Sequence, residues 1–140
     1  MASGRLYSYQ FGFGSLDAYE YVKAALDWPL VKPQTWIEMP EIQLGNGTMA
    51  EDGTMQGGLP IIQGGVNSTL EITKELMTQH NFESLEHITV TVWISHHIRG
   101  DVEVELISPH GVHSMLADKR PRDFDENGFP GWTFMTLKHW

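Results

Sequence analysis

Ile88-Thr89-Val90-Thr91-Val92-Trp93-Ile94 alternates strictly: Ile88, Val90, Val92 and Ile94 share one face, and the two threonines share the other. Period two is the signature of a half-buried strand, and β-branched side chains at most positions reinforce it. Such a segment cannot satisfy its backbone alone, so the rest of the chain must supply a sheet. Val102, Val104 and Leu106 repeat the pattern against Glu103 and Glu105, and Leu70 and Ile72 alternate with Glu71 and Thr73. Between the two main segments, His97-Ile98-Arg99-Gly100-Asp101 predicts a hairpin. Ser108-Pro109-His110-Gly111 predicts a second turn, with Val112 to Leu116 returning as the next strand. Short strands at this spacing predict a mainly β chain, folded as an antiparallel β-sandwich or jelly roll.

One short helix precedes the strands. Asp17 is placed as its N-cap, Glu20 follows three residues on, and Tyr19, Val22 and Leu26 recur at helical spacing. Pro29 ends it, because the residue before a proline is pushed out of the helical region. Gln34 to Met39 is a candidate strand closed by Pro40. From Gly45 to Gly65 lie seven of the fourteen glycines. Ordering glycine costs backbone entropy, so a long mobile loop is expected there.

Composition excludes several functions. A chain of 140 residues points to one domain, and a net charge of −9 argues against nucleic acid and against anionic membrane surfaces. No apolar run approaches the roughly 18 residues a membrane span needs, and no apolar stretch follows Met1 as in a signal peptide. There are no cysteines, hence no disulfides and no thiol chemistry. Asn46-Gly47-Thr48 and Asn67-Ser68-Thr69 are acceptor triplets for N-glycosylation, in or beside the glycine-rich stretch.

The candidate catalytic and metal motifs are weak. His96 and His97 would face opposite sides of a strand, and His110 and His113 lack a carboxylate to complete a ligand set. Asp123-Phe124-Asp125-Glu126-Asn127-Gly128 begins like a calcium loop. Its twelfth position is Phe134 rather than Glu, so an acidic turn is the better reading. Arg99-Gly100-Asp101 is a tripeptide that some adhesion receptors bind, though a turn needs the same residues. Ser8, Ser15, Ser84 and Ser114 stand in no nucleophile motif. The residues therefore assign no catalytic position and no metal ligand.

Three segments together resemble the kexin-like and furin-like proprotein convertases. Tyr9-Gln10-Phe11-Gly12-Phe13-Gly14-Ser15-Leu16-Asp17-Ala18 resembles the end of that family's subtilisin-like catalytic domain. Arg99-Gly100-Asp101 with Leu106-Ile107-Ser108-Pro109-x-Gly111 resembles a stretch of its P (Homo B) domain. Arg120-Pro121-Arg122-Asp123 with Gly128-Phe129-Pro130-Gly131-Trp132-Thr133-Phe134-Met135-Thr136 is similar to that domain's most distinctive stretch. Gln34-Thr35-Trp36 and Ile88 to Val92 resemble fungal kexins more than animal furins.

The resemblance implies that residues 1–28 end a catalytic domain and residues 29–140 form an incomplete P domain. The family's catalytic Asp, His and Ser would all precede Tyr9, and the P domain would run on past Lys138-His139-Trp140, so the resemblance implies a piece cut at both ends. It further implies a calcium-dependent serine endoprotease of the late Golgi that cleaves protein precursors after paired basic residues. Calcium is not assignable to any residue here. The P domain would stabilise the catalytic domain of the same polypeptide, with Phe11, Phe13 and Trp28 as candidate packing residues. Lys119-Arg120 is itself a dibasic pair, but Pro121 after it disfavours cleavage. The alternative reading is a free-standing β-sandwich that binds carbohydrate or an adhesion receptor.

Overall fold

The computed structural model describes residues 6–8, 10–42 and 44–136. Tyr9 and the Lys138-His139-Trp140 motif lie outside them. The chain forms two compact units, Met1–Ile37 and Glu38–Trp140.

The first unit opens with a tight turn. Ser8 and Gly12 exchange backbone hydrogen bonds at 2.9 and 2.8 Å, and the Ser8 hydroxyl accepts from Phe11 N–H at 3.0 Å. Helix α1, Ala18–Leu26, follows as expected: its N-cap Asp17 accepts from Glu20 N–H at 3.1 Å, and the helix stops before Trp28-Pro29. None of its residues is buried, so its apolar stripe has no core beneath it. The strand expected at Gln34–Met39 does not form. A strand exists only through a backbone ladder, and among the described residues no ladder is formed over 34–39.

The second unit is mainly β, as the alternation predicts. Its strands are β1 (Gly47–Met49), β2 (Met55–Gly57), β3 (Leu59–Pro60), β4 (Ile88–Ser95), β5 (Val104–Ile107), β6 (His113–Ala117) and β7 (Phe129–Thr136). They form three small sheets, β1–β2, β3–β4–β7 and β5–β6. β4 and β7 run antiparallel along their length, from Ile88↔Thr136 to Ile94↔Phe129. The inner faces of β4–β7 and β5–β6 meet on Ile94, Val102, Ala117 and the fully buried Phe129. Val92, Val104 and Phe134 pack around them. This is an incomplete sandwich with a small core.

Three local expectations change. The expected hairpin at His97–Asp101 is instead a crossover. A 3-10 turn, Arg99–Asp101, carries the chain from β4 into the other sheet, where β5 pairs with β6 rather than with β4. Gly100 is needed there for close approach, because a Cβ would lie 2.1 Å from the Arg120 carbonyl oxygen. The Ser108–Gly111 turn does join β5 to β6, with Gly111 N–H donating to Ser108 C=O at 2.9 Å.

Leu70 and Ile72 find no ladder. Directly after them comes a six-residue helix α2, Lys74–Gln79, whose N-cap Thr73 accepts from Leu76 N–H at 3.2 Å. Finally, the glycine-rich stretch is not one loop. Strands β1 and β2 form a hairpin around Ala50–Thr54, where Asp52 accepts from both the backbone and the hydroxyl of Thr54. Four glycines of the stretch, Gly45, Gly47, Gly57 and Gly58, sit where a Cβ would meet close neighbours, while Gly53, Gly64 and Gly65 face open space. A Cβ on Gly47 would lie 2.5 Å from Trp93 Cε3, and one on Gly131 2.7 Å from Trp93 Cζ2, so the indole sits between two bare backbones. Gly131 is the unpaired residue of a bulge in β7, opposite Val92 and Trp93.

Candidate functional site

The densest polar cluster joins the crossover turn to the loop before β7. Arg99 donates through Nε to Asp123 Oδ2 at 2.7 Å and through Nη2 to Asp123 Oδ1 at 2.8 Å, a bidentate pair. Its Nη1 lies 3.5 Å from Asp125 Oδ2. Arg120 donates to the same Asp123 oxygen at 3.1 Å, to the Asp118 carbonyl at 2.6 Å and to the Arg99 carbonyl at 3.1 Å. The backbone repeats the connection. Arg99 N–H donates to Asp125 C=O, Gly100 N–H to Asp123 C=O and Arg120 N–H to Gly100 C=O. Each guanidinium also lies over an aromatic ring, Arg99 above the partly exposed Trp132 at 4.9 Å and Arg120 above the buried Phe129 at 5.3 Å.

The electrostatic result is one-sided. Hydrogen bonding from Arg99 holds the Asp123 carboxyl at about 2, below its ordinary 3.8, and Arg120 adds to the effect against the opposing pull of desolvation. The same pairing raises Arg99 further above its ordinary range. The Asp123 carboxylate accepts from both guanidiniums and is committed to those ion pairs. The cluster is a brace, and it presents Phe124, 67% exposed, on a loop fixed from both sides.

The sequence motifs redistribute accordingly. Arg99 of the Arg-Gly-Asp tripeptide is 19% exposed and committed to Asp123, while Asp101 is exposed. The carboxylates of Asp123 and Asp125, at the head of the calcium-like segment, face that guanidinium. His96 and His97 do not lie on opposite faces, because β4 ends at Ser95. Their rings stack at 4.7 Å, and His96 Nδ1 lies 2.7 Å from the Ile98 carbonyl oxygen. His113 Nδ1 lies 2.9 Å from Glu105 Oε1 across the β5–β6 pair, while His110 is exposed in the turn between them. Among the described residues no group of three His, Cys, Asp or Glu could hold a metal ion. Ser8 caps a turn and Ser114 is buried beside the Thr136 hydroxyl.

The remaining candidates are surface features. Phe11, Phe13 and Trp28 are 70, 60 and 65% exposed, and Leu26 beside them is 81% exposed. Phe13 has an edge contact to Tyr7 at 5.1 Å. Asn46 and Asn67 are both exposed. Lys119 and Arg120 differ sharply: Lys119 lies 3.7 Å from Glu103 at the surface, whereas Arg120 is built into the brace. Sequence reasoning missed the brace itself. Its only signal is opposite charges in Arg99 and in Arg120-Pro121-Arg122-Asp123, segments that nothing local places together.

Comparison with known proteins agrees with the fold. The family model described as the proprotein convertase P-domain matches residues 85–140, which hold β4 to β7 and the whole brace. Among curated proteins, the dibasic-processing endoprotease of Schizosaccharomyces pombe is 40% identical over 140 residues. That match takes in 99% of this chain and 18% of the relative. Kexin of Saccharomyces cerevisiae is 37% identical over 139 residues, again 99% of this chain and 16% of the relative. The human proprotein convertase subtilisin/kexin type 7 is 30% identical over 138 residues, with 99% and 16% covered. The chain thus spans under a fifth of the length of these relatives. No helix among the described residues is long and apolar enough to cross a membrane.

Proposed function

This chain belongs to the kexin-like proprotein convertases through the P domain it carries, and from that premise we infer that it is a non-catalytic part of a precursor-processing serine endoprotease. In this reading residues 1–28 end a subtilisin-like catalytic domain, and residues 29–140 form P domain that stabilises it. Cleavage after paired basic residues, calcium dependence and residence in the secretory pathway, late Golgi included, belong to the whole enzyme, and its substrates are protein precursors.

One observation carries the reading. Phe11, Phe13, Leu26 and Trp28 lie within twenty residues of one another and are all more than half exposed. Large apolar side chains left this exposed are costly in water, and a covering protein surface removes that cost. The polar brace supports a stabilising rather than a chemical role.

A chimera tests it. The matched segment of Saccharomyces kexin is replaced by this chain, and calcium-dependent cleavage of a Lys-Arg peptide is measured, with the Schizosaccharomyces segment as a positive control. The reading expects turnover from the chimera, none from the chain alone, and a loss of active enzyme when Phe11 and Trp28 become serine. Turnover by the isolated chain, or indifference to the double substitution, would overturn it.

A further inference from the structure

The hairpin β1–β2 has two faces of opposite character. Gly47, Met49, Met55 and Gly57 share one face, because paired residues in an antiparallel ladder point the same way. Gly47 places that face against Trp93. Asn46, Thr48 and Gln56 therefore lie on the other face, and all three are exposed. Asn46 and Thr48 are the first and third residues of an Asn-x-Thr triplet, and the residue between them is the glycine that packs inward. No hydrogen bond engages the Asn46 or Thr48 side chain among the described residues, while the Asn46 carbonyl is held by Gly58 N–H at 2.7 Å. The acceptor amide thus projects from a fastened backbone into solvent.

We propose that Asn46 carries an N-linked glycan on the outer face of the β1–β2 hairpin. The inference rests on the reading above that the chain enters the secretory pathway. The donor is a polyprenyl-diphosphate-linked oligosaccharide. A bond forms between Asn46 Nδ2 and the anomeric carbon, the bond from that carbon to the diphosphate oxygen breaks, and Nδ2 gives up one proton. The polyprenyl diphosphate leaves. The fold accommodates the product because Gly47, not Asn46, meets the indole, so the sugar displaces only water. It would also shield Gln56 and the hairpin's outer backbone.

The full 140-residue chain is expressed in a yeast host behind a heterologous signal peptide, which delivers it whatever its natural compartment. Glycans are counted by intact mass before and after treatment with an N-glycosidase. Asn46→Gln and Thr48→Ala are each expected to carry one glycan fewer than the unaltered chain, and Thr48→Ser to keep it. An unchanged glycan count in Asn46→Gln overturns the proposal. Faster amide exchange over residues 47–57 in the glycosylated form would overturn its placement on the outer face, by showing the sugar prying the hairpin from Trp93. Neither result bears on the chimera, so failure here and failure of the family reading are separable.

Discussion

Arg99 and Asp123 are joined by two parallel hydrogen bonds, at 2.7 and 2.8 Å, across 24 residues of chain. The pair ties the crossover between the sheets to the loop that leads into β7. Because Arg120 shares the same carboxylate, one aspartate also fastens the turn that it belongs to.

The first prediction concerns pH. Asp123 titrates at about 2 when folded, below the ordinary 3.8. A carboxyl whose folded pKa is depressed contributes stability that is full above the unfolded value and lost as pH falls through the folded one. The urea midpoint is therefore expected to drop between about pH 4 and pH 2. In Asp123→Asn that portion of the drop should vanish, and the midpoint at neutral pH should be lower. Equal pH profiles for the two proteins would remove Asp123 from this role.

Core truncation should be severe. Phe129 is fully buried in a cluster of four buried apolar residues among those described. Phe129→Ala is expected to cost about 3–5 kcal/mol. Against a marginal total this should leave the second unit largely unfolded at 25 °C, read by near-ultraviolet circular dichroism.

Gly47 tests the packing of the hairpin. Gly47→Ala places a methyl against the Trp93 ring, where overpacking typically costs about 1–3 kcal/mol. Amides of residues 47–57 should exchange faster while those of β5 and β6 stay protected. Gly53→Ala, whose Cβ would meet nothing within 4 Å but whose φ is +82°, should be strained without loosening the contact with Trp93.

An open edge should make the chain associate. β4 is paired with β7 from Ile88 to Ile94, but among the described residues its other edge meets only β3, at Ile94 and Ser95. A long strand rich in valine and isoleucine with a free edge recruits further strands. Sedimentation should show mass rising with concentration, and Thr89→Lys on the exposed face should reduce it. A strictly monomeric wild-type chain at millimolar concentration would refute the free edge.

Local chemistry was readable where it was self-contained. The Asp17 cap, the Ser108–Gly111 turn and the alternation of Ile88–Ile94 each depend on neighbours within a few residues, and each stands in the structure as expected. The family motifs were legible for the same reason, being short and contiguous. Gln34–Met39 and Leu70–Ile72 carry strand-forming residues yet form no strand, because a ladder needs a second chain segment that residue preference cannot supply.

The amino-acid order alone therefore determined the β class, the first helix, the turn joining β5 to β6 and the absence of any nucleophile motif or cysteine. Tertiary structure decided what the ambiguous residues became. Gly47, which read as part of a mobile loop, became a bare surface for Trp93, and an adhesion-like tripeptide became one end of a brace. The reason is range: capping and periodicity act over a few residues, whereas the indole contact and the Arg99–Asp123 pair join positions dozens of residues apart.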